Sequence, residues 1–159
     1  MLNLLDKIRS DAMKNIELKP IGIVHSPLKN ISGNPVQSSF SEVEGQIEIF
    51  EEYEEGLKDL SGFEYIICIT YFHLVKNPVP LQSPTHWDSQ KHGIFAIRSP
   101  WRPNPIGFSI LKLLGIKKNI LEVKNLDIMD KTPVLDIKPF IPSIDNRETD
   151  KIGWFEGKF

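Results

Sequence analysis

Short apolar runs, rich in β-branched and aromatic residues and closed by proline, glycine or polar turns, set the terms for what this chain can fold into. IGIVHS (21–26), GQIEIF (45–50), FEYIICITYFHL (63–74), GIFAIRS (93–99), GFSILKLLGIKK (107–118), ILEVKNLDI (120–128) and TPVLDIKPF (132–140) all read as strands, because such side chains suit a pleated, half-buried surface. In GQIEIF, Ile47 and Ile49 alternate around Glu48, the period of a strand with one buried face. FEYIICITYFHL is predicted to be central, and Lys118-Asn119 to be the turn of a hairpin. Helix is scarce. EYEEGLKDL reads as a helical turn weakened by Gly56, and residues 2–16 carry Leu5, Ile8, Ala12 and Ile16 at helical spacing before Pro20 ends the pattern. The expected fold is mainly β: a single barrel-like domain of about seven strands with a short N-terminal helix. The expected division is a helical extension at 1–18, the barrel at 19–145 and a C-terminal tail at 146–159. Closing the barrel disposes of exposed sheet edges.

The charge balance narrows the function. With 19 Lys and Arg against 21 Asp and Glu, the formal net charge is −2, which argues against a non-specific DNA binder but leaves RNA read through a local patch. The single cysteine, Cys68, lies inside an apolar run and reads as a buried small hydrophobe in a reducing compartment. No apolar stretch reaches the roughly 18 residues of a membrane span. No basic start is followed by a long apolar core, so the chain is read as cytoplasmic. GxGxxG after a strand, GxxxxGK[ST] and GxSxG are all absent. His25, His73, His86 and His92 show no familiar zinc spacing, and no metal is expected.

Three segments carry chemistry. RSPWRPNPIGFSIL (98–111) holds Pro100, Pro103 and Pro105, which fix φ and remove donors, so it is a stiff loop between apolar runs. It presents Trp101, Asn104, and the planar forks of Arg98 and Arg102, suited to carboxylate, phosphate or an aromatic face. The plain alternative is a stiff turn with solvated arginines. LDIMDKTPVLDIKP (126–139) places Asp127, Asp130 and Asp136 in a short span, with Lys138 on the strand face of Asp136. A carboxylate so paired keeps its charge and can orient a ribose or accept a proton; Asp130-Lys131-Thr132-Pro133 also makes a good turn. Asn34 to Gln37 lies in a long polar loop, and His73 closes the long strand, a position more often structural than catalytic. The acidic belt from Glu42 to Glu55 and the basic hairpin of Lys112, Lys117, Lys118 and Lys124 read first as solvated faces.

GIFAIRSPWRPNPIGFS, LDIMDKTPVLDIKPFIP and IGIVHSP together resemble the signatures of the TsaA-like, or TrmO-type, tRNA methyltransferases over roughly residues 19–145. The resemblance implies a β-barrel that uses S-adenosylmethionine without a Rossmann domain, as a homodimer with the cofactor near the subunit interface. It implies methylation of N6 of threonylcarbamoyladenosine at position 37, in the anticodon loop of threonine-type tRNA, with no DNA or membrane partner. Carried over motif by motif, it implies cofactor contacts at Pro35, Val36, Gln37, His73, Leu74, Arg98, Phe108, Asp127, Ile128, Met129 and Asp130. Arg102, Asn104 and Asp136 match further motif positions and are the catalytic candidates, with Asp136 as the base, Arg102 as a phosphate or carboxylate clamp and Trp101 as a stacking surface. Ile97 stands where the family has Thr, and Lys131 where it has Gly; PTHWDSQKH replaces an arginine-rich loop, and the C-terminal extension of longer bacterial members is absent. Two other classes stay open: a methyltransferase acting on a small molecule or protein, and a non-catalytic barrel that binds RNA or a nucleotide.

Overall fold

The computed structural model describes residues 16–30, 35–76 and 79–158. The predicted N-terminal helix, like Asn34, lies outside the described residues. The strands are β1 (Gly22–His25), β2 (Glu44–Ile49), β3 (Tyr65–Tyr71), β4 (Gln82–Ser83), β5 (His92–Gly93), β6 (Ile106–Lys117), β7 (Ile120–Lys124) and β8 (Pro133–Pro139). Six of them close into an antiparallel barrel in the order β1-β2-β7-β6-β3-β8, and β4 and β5 form a separate ribbon. EYEEGLKDL supplies a 3-10 helix, Glu51–Leu57.

Alternation decides what the barrel buries. Along β6, Gly107, Ser109, Leu111 and Leu113 are buried, while Ile106 and Phe108 are exposed. Leu111 and Leu113 join Val24, Ile47, Ile49, Ile66, Cys68, Leu121, Val123, Leu126, Ile128 and Val134 in one core, each large side chain contributing about 1.5–3 kcal/mol on burial. Cys68 is among them, and burial, followed by the charges of Asp127 and Asp136, pushes its thiol up to about 12. A thiol held that high is no nucleophile at neutral pH. Lys118 takes φ 53° in the β6–β7 hairpin, and Asn119 donates from Nδ2 to the Ile49 carbonyl at 2.7 Å, tying the turn to β2.

One predicted strand is not a strand. GIFAIRS contributes only Gly93 to β5 and then turns through a 3-10 helix, Ile94–Ala96. Ile94 and Ile97 are both buried; three residues apart, they share a face in a 3-10 turn, whereas a strand would point them to opposite sides. Phe95 between them is 78% exposed. Arg102 completes the turn by donating from Nη1 to the carbonyls of Ile94 and Ile97, at 2.9 and 2.7 Å.

Candidate functional site

Three chain segments meet beside β6. The first is a 3-10 turn, Ser38–Phe40, preceded by Pro35 to Gln37. The second is the connection from β7 to β8, residues 125–132. The two are bolted together: buried Ser41 donates from Oγ to the Leu126 carbonyl at 2.6 Å, Asn125 Nδ2 donates to the Ser41 carbonyl at 2.6 Å, and the Leu126 amide donates to the Val43 carbonyl at 3.0 Å. Asn125 takes φ 66° to make this possible, a conformation asparagine tolerates better than most residues. The third segment is the proline-braced loop ahead of β6.

Arg98, from that loop, donates from Nη1 to Gln37 Oε1 at 2.8 Å. Gln37 is oriented by its own Nε2, which donates to the Val36 carbonyl at 2.7 Å. Asp127 accepts from the Ser109 hydroxyl at 2.6 Å. Burial raises the pKa of Asp127, opposed by the Ser109 bond, by backbone amides including that of Ser38, and by the charge of Arg98. So Arg98 and Asp127, distant in sequence, share one electrostatic neighbourhood, with Gln37 and Ser38 between them. A guanidinium and a partly buried carboxylate in one neighbourhood, each with a neutral side-chain partner, can take the two ends of a zwitterion.

The other residues of the 127–130 segment offer less side chain. Ile128 is core. The Asp130 carboxylate accepts from the Ser26 amide at 2.9 Å and pairs with Lys29, while its own amide donates to the Leu28 carbonyl at 2.9 Å. Asp130 therefore anchors the loop after β1, so Ile128 and Asp130 leave mainly main chain for a ligand, while Met129 is half-buried. His73 and Leu74 are exposed in the turn after β3, beside the proline loop, where the Phe72 amide donates to the Pro105 carbonyl at 2.8 Å. Phe108 is 49% exposed on the outer face of β6, paired in register with Ile69 of β3.

The three catalytic candidates are spread out. Arg102 spends one end of its guanidinium on the Ile94–Ala96 turn and lies 5.7 Å from the centre of the Phe95 ring. It is thus partly a structural brace. Asn104 is exposed, and its carbonyl accepts from the Ile106 amide at 2.8 Å. Asp136 shares no hydrogen bond or ion pair with Arg98 or Asp127 among the described residues. It stands opposite Ile69, paired with Lys138 at 2.7 Å, and lines a separate hollow of about 510 Å³ with Ile21, Tyr53, Leu57, Leu60 and Phe63. The reason is strand alternation: Ile137 packs against the core, so its neighbours point away. Among the described residues, no group of three or more His, Cys, Asp or Glu side chains is placed to hold a metal ion.

Ser109 and Ser38 were missed in the sequence. Ser109 had a signal: a hydroxyl at an inward position between Gly107 and Leu111 needs a partner. Ser38 contributes only its amide and left none.

The family model described as the tRNA-methyltransferase O N-terminal domain matches residues 23–146. A probable S-adenosyl-L-methionine-binding protein of Pyrococcus abyssi is 48% identical over 139 residues, covering 87% of this chain and 75% of that protein. The tRNA (adenine(37)-N6)-methyltransferase of Escherichia coli is 29% identical over 140 residues, covering 82% of this chain and 60% of the enzyme. The crystal structure of TrmO from Pseudomonas aeruginosa superposes with a TM-score of 0.75 at 28% identity, covering 89% of this chain and 62% of that one. The chain thus spans about three fifths of the length of these two methyltransferases.

Proposed function

This chain belongs to the tRNA-methyltransferase O family, and from that premise we propose that it transfers the methyl group of S-adenosylmethionine to N6 of adenosine 37 in tRNA. The finer reading takes threonylcarbamoyladenosine in a threonine-type anticodon loop as the substrate. The observation that carries the reading is the shared electrostatic neighbourhood of Arg98, held by Gln37, and Asp127, held by Ser109. That donor set fits the cofactor: Arg98 suits its carboxylate, Asp127 its ammonium or a ribose hydroxyl, and exposed Val36, Leu74 and Phe108 offer apolar surface.

When bound, S-adenosylmethionine supplies an electrophilic methyl on a sulfonium. The protein's part is placement, since aligning the reactants removes much of the barrier. Main chain at Pro35 to Gln37 and at 127–130 sets the depth of the site, and Arg98 and Asp127 set its orientation. Trp101 and Arg102 lie on the same loop as Arg98 and offer a stacking surface and a free guanidinium edge to an unstacked anticodon base. The protein acts as a homodimer. The outer face of β3 and β6 presents Ile69, Tyr71, Ile106 and Phe108 together, an apolar strip suited to a second copy, and Asp136 borders it across Ile69. Asp136 as proton acceptor therefore requires the partner's site.

Calorimetry with S-adenosylmethionine, and mass spectrometry of nucleosides from tRNA incubated with and without the protein, test the reading. Binding together with a gain of one methyl on the modified adenosine is expected. Binding without that gain would point to another substrate class, and no binding would remove the methyltransferase. Asp136→Asn is expected to lower turnover at least about tenfold while leaving cofactor affinity unchanged; unchanged turnover would assign the proton to solvent.

A further inference from the structure

The C-terminal segment lies beyond residue 146, where the family match ends, yet it packs against the wall of the site. Trp154 lays its indole on the His92 ring, with centroids 4.1 Å apart and planes 17° from parallel. Its Nε1–H donates to the Ala96 carbonyl at 2.8 Å. Lys158 Nζ reaches Asp88 Oδ2 at 3.0 Å. Phe155 packs on Trp87, and Trp87 on Phe40, with centroids 6.1 Å apart in both pairs. Phe40 closes the turn that begins at Ser38. The segment therefore reaches both walls, the turn before Arg98 and, through Trp87, the turn beside Asp127.

The first of these contacts carries consequence. Ala96 lies two residues before Arg98, in a turn outside the barrel ladder. Arg102 takes the carbonyls of Ile94 and Ile97, and Trp154 takes that of Ala96. Arg98 itself is exposed. An exposed arginine free to wander must be ordered when it binds, at a cost in affinity that a fixed backbone reduces.

We infer that Trp154 is a positioning residue for the transfer reaction, a strut from the C-terminal segment that holds the Ile94–Ala96 turn so that Arg98 stays directed at Gln37 and the cofactor. The inference rests on the proposed role of Arg98 in binding S-adenosylmethionine. Trp154→Phe keeps an aromatic ring on His92 and removes the donor. It is expected to weaken S-adenosylmethionine binding about 3- to 10-fold, the worth of one hydrogen bond, with a melting temperature within a few degrees of wild type. In an Arg98→Ala background the same change is expected to cost almost nothing, because groups that act through one another are not additive. A merely structural tryptophan would cost the same factor in both backgrounds, and that result, or no cost at all, overturns the inference.

Hydrogen exchange on the full chain without ligand decides the strut independently of cofactor binding. Amides 95–99 are expected to exchange faster in Trp154→Phe while those of β3 stay unchanged, and unaltered exchange at 95–99 overturns the inference. This arm also decides the case where Arg98→Ala binds too weakly to titrate. Failure of the wild-type protein to bind S-adenosylmethionine would instead overturn the proposed function.

Discussion

Lys131 takes φ 61° where the resemblance would place glycine. The left-handed region costs a residue with a Cβ roughly 1–2 kcal/mol, and glycine gives part of that back as unfolded-state entropy. The turn is nonetheless kept, because the Lys131 amide donates to the Val24 carbonyl at 2.8 Å and fixes the start of β8 against β1. Lys131→Gly is expected to stabilise the protein by about 0.5–1 kcal/mol, read as a rise in the denaturant midpoint without a change in slope. Asp127 is the opposite case, a residue kept at the expense of stability. Burial raises its pKa above the ordinary 3.8, so the ionised form destabilises the fold, and that cost sets in as pH rises from 3.8 through the folded value. Asp127→Asn is expected to match or exceed wild-type stability at pH 7 in a thermal melt while losing cofactor affinity. Wild-type affinity is expected to fall on acidification already above the ordinary carboxylate range, and calorimetry across pH on both proteins checks this.

At the scale of elements, β3 and β6 approach closely where the proline loop enters the barrel. A Cβ on Gly107 would lie 2.3 Å from Thr70 Oγ1 and 2.6 Å from Phe72 Cζ, so only glycine fits. Gly107→Ala is expected to cost about 1–3 kcal/mol by overpacking, measured by urea unfolding, and to loosen the loop carrying Arg98. Six of the seven predicted strands were legible because alternation and β-branching report burial directly. GIFAIRS failed because its composition is that of a strand, while the three-residue spacing of Ile94 and Ile97 is that of a 3-10 turn. That spacing was in the sequence, but the guanidinium that settles the turn comes from Arg102, beyond Pro100. The meeting of Arg98 with Asp127 was readable only through the family signatures, since no local pattern tells which loops of a barrel converge. The contact of Trp154 with Ala96 was not readable at all, since a tryptophan in a polar tail gives no hint of its partner.

At the scale of the molecule, closure of the barrel is uneven. β3 shares seven residue pairs with β6, whereas β1 meets β8 through two, Gly22 with Val134 and Ile23 with Pro133. Pro133 has no amide to give. Asp130 straps this narrow join, since its carboxylate holds both Lys29 and the Ser26 amide from the chain leaving β1. Lys29, and then that amide, lower its pKa from 3.8, so its stabilisation is full above 3.8 and is lost as pH falls through the lower folded value. Asp130→Asn is expected to lower the melting temperature at pH 7 and to flatten its dependence on acid, as a thermal series on the variant and wild type would record.

A ring of strands opens where its links are fewest, and here that place adjoins the 127–130 segment, through the Asp130 and Lys131 amides on the carbonyls of Leu28 and Val24. Breathing of β1 away from β8 would release the 127–130 segment before the rest of the sheet notices.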